Sequence, residues 1–353
     1  MNRRRFLQAS SLGLAATMLP CPQALAATRN DDTCSFVKPV CGTWFEFEHH
    51  NRAEGKYWDP TLPKFTTAQW KTKIREMYAA GMEYLVLLSV AHEGKTYYPS
   101  KLQPQHAYAC PDPLEAILEE ADNCGMKCFI SNDFWTDWRQ GVKNLTDKDI
   151  WLLREQGMEE TAEKYAHHRS FYGWYYPHES ELHLAFDDMA LAYINRCSTI
   201  AHALTPKALT LIAPYGTRYV NGINDEYIRF LEKLDVDIMA YQDEVGVRKT
   251  QAGSAGKYYE DLYRMHVRAG RARLWADVEI FDFEGEVYKS ALIPAPFERI
   301  RTQLQDVAPY VEQILIYQYL GMMNPPDSQA FAGHPDSVRL YGDYIRFINY
   351  KKQ

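Results

Sequence analysis

Short apolar runs alternate with longer amphipathic stretches along this chain, and few architectures accommodate that order. The apolar runs are Val40–Phe47, Tyr84–Ser89, Lys127–Asn132, Phe171–Pro177, Leu209–Pro214, Asp237–Gln242, Arg273–Ile280 and Gln313–Tyr319. Each is short and apolar on both faces, as a strand covered on both sides must be. The intervening stretches Thr67–Ala80, Pro113–Cys124, Asp147–His167, Leu182–Leu204, Asn224–Leu234, Gly256–Ala269 and Pro296–Ala308 carry helical spacing, and Ser337–Asn349 supplies a closing helix. Several have start and stop signals. Asp112-Pro113 is an N-cap and first-turn pair, and Gly81-Met82 and Gly125-Met126 place a Gly at the end of a helix. Eight strand–helix alternations fit a closed (β/α)8 TIM barrel or an open doubly wound sheet. The open sheet requires a Gly-rich phosphate loop after its first strand. Here that strand runs into Glu46-Phe47-Glu48-His49-His50, so the expectation is a single-domain α/β (β/α)8 barrel over residues 27–353.

Residues 1–26 read as an address. Met1-Asn2-Arg3-Arg4-Arg5-Phe6-Leu7 precedes a mild apolar run, and Ala24-Leu25-Ala26 offers a cleavage site. Arg-Arg-x-Phe-Leu is the twin-arginine signature, which predicts a periplasmic protein that meets the twin-arginine translocase during export. The apolar run from Leu12 to Leu19 is too short to span a bilayer, so no stable anchor is expected in the mature form. The net charge is −7, and losing Arg3, Arg4 and Arg5 takes it to about −10. An acidic surface argues against nucleic acid, anionic membranes and polyanionic glycans as main partners. Cys34, Cys41, Cys110, Cys124, Cys128 and Cys197 would enter a compartment that permits disulfides. Cys34 with Cys41 is the candidate staple, and Cys128 reads as a buried thiol.

Barrels build their active sites at the C-terminal ends of the strands. There the sequence places Trp44, Glu46 and Glu48; His92 and Glu93; Asn132, Asp133 and Trp135; and Tyr176, His178 and Glu179. Further along come Tyr215; Tyr241, Gln242, Asp243 and Glu244; Asp277 and Glu279; and Tyr317 and Gln318. Carboxylates and amides take sugar hydroxyls, and aromatic faces stack on pyranose C–H surfaces. Glycoside cleavage requires a protonated acid at the leaving oxygen and a second carboxylate as nucleophile or base. Glu179 is assigned as general acid/base and Glu279 as nucleophile. Trp44, Glu46, Asp133, Trp135, His178, Tyr215, Tyr241, Gln242 and Asp243 are assigned to substrate binding or positioning. Asp277 shares a strand face with Glu279, and Asp243 is the alternative second carboxylate. His49-His50 and His167-His168 read as surface pairs rather than metal ligands, because neighbouring strand residues point to opposite faces. No organic cofactor is implied.

The order acid on strand four, nucleophile on strand seven resembles the retaining barrel glycosidases, with His178 where that superfamily usually carries Asn. That resemblance implies carboxyls about 5–5.5 Å apart rather than the ~6.5–9.5 Å of inverting enzymes. Four segments carry a second resemblance: Gly42-Thr43-Trp44-Phe45, Gly173-Trp174-Tyr175-Tyr176-Pro177-His178-Glu179, Ala240-Tyr241-Gln242-Asp243-Glu244-Val245-Gly246 and Leu274-Trp275-Ala276-Asp277-Val278-Glu279. They are similar, in order and spacing, to marker segments of domain-of-unknown-function family 4434, glycosidase-like barrels of exported bacterial proteins. That similarity implies a barrel and a carbohydrate role. Two other functions compete. A non-catalytic carbohydrate-binding barrel serving polysaccharide export would keep the aromatics but hold its carboxylates too far apart. A metal-dependent hydrolase or deacetylase would carry tight, stoichiometric zinc.

Overall fold

The computed structural model describes residues 38–179, 182 and 188–350. The expected twin-arginine segment, the expected cleavage site and Cys34 lie outside the described residues. The eight barrel strands are β1 (Gly42–Phe45), β2 (Tyr84–Leu87), β3 (Lys127–Ser131) and β4 (Phe171–Tyr175), then β5 (Leu209–Ile212), β6 (Ile238–Gln242), β7 (Arg273–Glu279) and β8 (Ile314–Tyr317). They close into one barrel, with each strand beside its sequence neighbours and β8 returning to β1. Every pairing is parallel, and the seam registers Gly42 opposite Leu315. The sequence-based expectation of a closed (β/α)8 barrel therefore holds.

The helices are α1 (Thr67–Ala79), α2 (Pro113–Cys124), α3 (Val142–Thr146), α4 (Lys148–Tyr165) and α5 (Asp188–Leu204). After them come α6 (Asp225–Lys233), α7 (Gly256–Ala269), α8 (Phe297–Val307) and α9 (Ser337–Tyr350). Their ends are fixed by the residues that announced them. Thr66 and Gln69 form a reciprocal capping box on α1. Asp112 accepts the Glu115 amide at the start of α2, and Gly125 ends that helix at φ 71°. Asp147 caps α4 through the Asp149 and Ile150 amides. Losing one such cap costs about 1 kcal/mol. Sequence spacing did not foresee the short α3, nor two small hairpins outside the barrel. One hairpin joins Ala91–His92 to Lys95–Thr96, and the other joins Phe281–Phe283 to Leu292–Pro294.

Strand residues divide cleanly between two cores. Trp44, Tyr84, Val86, Phe129, Tyr175, Leu211, Ile238, Ala240, Trp275 and Leu315 fill the barrel interior. Their neighbours Phe45, Leu85, Leu87, Cys128, Ile130, Met239, Leu274, Ala276 and Val278 face outward into the helix layer. Interior rings meet edge to face, as in Trp44–Tyr175 with centroids 5.9 Å apart and Phe129–Trp275 at 6.2 Å. Gly173 is required on β4, because a Cβ there would lie 2.7 Å from the Phe129 ring. Among the described residues no disulfide joins Cys41, Cys110, Cys124, Cys128 and Cys197, and Cys128 is buried as expected. No helix among the described residues is long and apolar enough to cross a membrane.

Candidate active site

The packed interior stops one layer short of the C-terminal rim, and a cavity of about 370 Å³ opens above it. All eight strand ends contribute to its lining. His49, His50, Asn51 and Glu54 follow β1, Leu88 follows β2, Trp138 follows β3, Glu179 follows β4 and Tyr215 follows β5. Gln242 ends β6, with Glu244, Val247 and Lys249 beyond it. Asp277 and Glu279 come from β7, Phe281 and Tyr288 from the hairpin after it, and Tyr317 from β8. Asp277 and Glu279 share the inner face of β7 because one residue separates them.

Glu279 is held firmly. Its Oε2 accepts the Val247 amide at 2.8 Å, and its own amide donates to Asp243 Oδ1 at 3.1 Å. From α8, Gln303 and Arg299 donate to the Glu279 carbonyl at 2.9 and 3.0 Å. Asp277 is also buried, but its Oδ1 meets no hydrogen-bond donor among the described residues. Burial, then the nearby charges of Glu279, Asp243 and Glu179, push the Asp277 carboxyl well above the usual range. Burial and Asp243 push Glu279 up as well, but the Val247 amide favours its ionised form. A proton shared among these acids therefore belongs on Asp277 rather than Glu279. Glu179 stands at the open mouth, where the protein mass around it pushes its carboxyl up to about 7, while a hydrogen bond from Gln242 and the charge of Lys249 work against the rise. Its contact with water at the mouth tempers the upward push.

Glu244 serves the wall rather than the chemistry. It pairs with Arg218, accepts the Gly216 amide at 3.0 Å, and thereby ties the β5 loop to the β6 loop. Lys249 lies 5.4 Å from the Tyr215 ring centroid and 5.7 Å from that of Tyr288, within cation–π reach of both. On the opposite side His49 is buried and stacks on His50 with centroids 4.6 Å apart. Burial pushes His49 down to about 3, so its ring is neutral. Its Nδ1 accepts the Asn51 amide at 3.0 Å, which leaves the proton on Nε2, 3.1 Å from Tyr317 Oη.

The structure brings Glu179, Glu279, Gln242 and Tyr215 together in the cavity. Other assigned residues stand elsewhere. Trp44 is a buried floor residue one layer down, in the interior core. Glu46 is enclosed, accepting from Trp58 Nε1 at 2.9 Å and Gln318 Nε2 at 2.6 Å. Asp133 is sealed between Arg154 and His178, with His178 Nε2 2.9 Å from its Oδ2, so both act behind the Glu179 turn. Trp135 packs its ring on Gly157 of α4 and donates to the Asn132 carbonyl at 3.1 Å. Tyr241 faces outward, with its hydroxyl 2.8 Å from His266 Nε2. Asp243, also outward, accepts from Gln303 Nε2 at 2.7 Å and braces Glu279 from behind. Thus Trp44, Glu46, Asp133, Trp135, Tyr241 and Asp243 are closed off from a ligand in this cavity. His49, His50, Trp138, Lys249 and Tyr288 also line the cavity, and the strand-end rule does not point to them. His49-His50 is not a surface pair, because it occupies a loop that folds over the cavity.

Solved structures of other proteins share this architecture. A protein of Bacteroides thetaiotaomicron VPI-5482 to which alpha-L-fucosidase activity is ascribed aligns with a TM-score of 0.69 at 14% identity, over 94% of this chain and 99% of its own. The endo-1,4-beta-mannanase of Rhizomucor miehei aligns with a TM-score of 0.54 at 9% identity, over 88% and 95%. A glycoside hydrolase family 5 mannosidase from the same organism aligns with a TM-score of 0.50 at 11% identity, over 90% and 95%. At such identities the likeness is one of fold. In architecture the molecule is a (β/α)8 barrel of the type found in glycoside hydrolases. Within that class the chain belongs to the family described as "Domain of unknown function (DUF4434)", whose profile matches residues 40–330. No curated protein is significantly similar to it in sequence.

Proposed function

We propose that this protein is a retaining glycoside hydrolase acting on a poly- or oligosaccharide. The observation that carries the reading is one rim cavity lined by Glu179 from β4 and Glu279 from β7, walled by Tyr215, Trp138, Phe281 and Tyr317. The fold shared with a mannanase and a mannosidase supports a carbohydrate substrate. Glu179, open to the mouth and with its carboxyl pushed up, delivers a proton to the leaving oxygen. Glu279, steadied by the Val247 amide, attacks the anomeric carbon. Asp277 beside it takes a sugar hydroxyl through its unpartnered oxygen.

The test is a glycan panel read by new reducing ends, followed by Glu179→Gln and Glu279→Gln on the substrate found. Each should lower kcat by about 10²–10⁴-fold with folding intact. Azide should rescue Glu279→Gly with inverted product and Glu179→Ala with retained product. Near-normal turnover in both Gln variants would move the catalytic pair elsewhere, with Asp277 next in line. We further propose that the mature chain works in the periplasm after export through the twin-arginine route, on the strength of Arg3-Arg4-Arg5-Phe6-Leu7.

A further inference from the structure

A cluster of side chains with metal-ligating chemistry lies at the other end of the barrel. His167 and His168 occupy the turn between α4 and β4, just before Phe171 enters the sheet, whereas the cavity lies at the strands' C-terminal ends. Glu115, His167 and His168 each offer one ligand atom, and these atoms lie within 4.8 Å of one another. His168 Nε2 is 3.2 Å from Glu115 Oε2. Zinc bonds of about 2.0–2.2 Å in tetrahedral geometry hold neighbouring ligand atoms roughly 3.3–3.5 Å apart, so this contact is close to one tetrahedral edge.

The other nitrogen of His168 is also accounted for. Its Nδ1 lies 2.9 Å from Asp122 Oδ2, and Asp122 is itself fixed by accepting the Ser170 amide at 2.6 Å. A carboxylate behind a histidine, fixing which nitrogen faces outward, is the usual support of a metal-binding imidazole. Glu115 and Asp122 are two helical turns apart on α2, so both reach the flank on which His168 lies. An ordinary ion pair explains the 3.2 Å contact. It does not explain why the exposed His167 ring is carried to the same point, 4.2 Å from the His168 ring centroid.

We propose that Glu115, His167 and His168 form a site for a divalent ion of borderline softness, zinc in chemical class. Asp122 orients His168 from behind, and solvent completes the coordination. On binding, His168 gives up its Nε2 proton to solvent and keeps the Nδ1 proton toward Asp122. The ion clamps α2 to the α4–β4 turn, and the site is independent of the glycosidase reading.

The experiment uses the mature protein stripped with a chelator and titrated with zinc chloride by calorimetry. Cobalt absorption provides a readout of coordination geometry. One equivalent should bind, the melting midpoint should rise with zinc concentration, and the cobalt form should show intense tetrahedral bands. His167→Asn and Glu115→Gln, both on accessible residues, should each weaken zinc at least tenfold and abolish those bands. Asp122→Asn should weaken it 10–100-fold with the bands retained. The proposal is overturned by no bound zinc. It is equally overturned by zinc affinity that ignores both His167→Asn and Glu115→Gln, which would leave His168 as a plain ion-pair partner.

Discussion

Replacing Arg154 with Met tests whether Asp133 belongs to the framework behind the site rather than to the sugar. Both residues are buried, and Arg154 Nε pairs with Asp133 Oδ2. Arg154 also donates to the Asn144 carbonyl at 2.6 Å and lies 4.3 Å from the Trp151 ring centroid and 5.0 Å from that of Tyr193. Met keeps an unbranched apolar stem between those rings and removes the charge. Breaking a buried pair from one side costs about 3–5 kcal/mol, because the remaining charge is left uncompensated. His178, 2.9 Å from the same oxygen, stays in place and brings the expected cost to the lower end, about 3 kcal/mol. At roughly 2 °C per kcal/mol in a chain this long, the melting midpoint falls by ~6 °C. Burial works against ionising Asp133, but Arg154 and His178 outweigh it and hold the carboxyl well below the usual carboxylate range. A depressed carboxyl stabilises the fold above its unfolded pKa of about 4, and that contribution is lost as pH falls through the folded value. Arg154→Met therefore costs most at neutral pH and less in acid. Urea melts of the parent protein, Arg154→Met, Asp133→Asn and the double variant form the assay, with a coupling of about 1.5–3 kcal/mol expected at neutral pH. A loss under ~1 kcal/mol for Arg154→Met, or strict additivity in the cycle, would refute the reasoning.

Two raised carboxyls, Glu46 behind the cavity and Glu54 in its lining, predict the opposite pH dependence in a higher window. Burial pushes both Glu46 and Glu54 up to about 7, so the folded state holds protons that the unfolded chain releases near pH 4–5. Stability should therefore fall as pH rises from about 5 to about 7, by up to ~1.4 kcal/mol per pH unit for each group, and Glu46→Gln should flatten that slope in urea melts across the window. Changing Arg3 and Arg4 both to Lys should strand folded precursor in the cytoplasm; fractionation that finds normal periplasmic delivery would remove the export proposal.

The barrel was legible because its signals are local. Asp112-Pro113 and Gly125 fix the ends of α2 from within a few residues, and short apolar runs mark strands wherever helices cover the outer face. That same double cover explains why parts of the site were not legible. On β6 the inner set Ile238, Ala240 and Gln242 and the outer set Met239, Tyr241 and Asp243 are equally apolar at their starts, so alternation separates two faces without saying which lines the cavity. Gln242 and Asp243 thus read alike in sequence, yet one lines the cavity and the other braces α8. Depth is equally silent, since Trp44 and Tyr317 both stand at strand ends but only Tyr317 reaches the open layer.

Loop geometry hid the remainder. The rule that neighbours point apart belongs to strands, and it fails at His49-His50, where the chain turns and stacks the two rings. The pair Asp277 and Glu279 shows the boundary most clearly. Their spacing puts both on one face of β7, but it cannot divide the work between them. A difference comes from the loop after β6, which brings the Val247 amide to the Glu279 carboxylate, whereas Asp277 Oδ1 meets no donor among the described residues. Two acids that are equivalent on the strand are told apart by one backbone N–H, contributed by a residue 32 positions from Glu279.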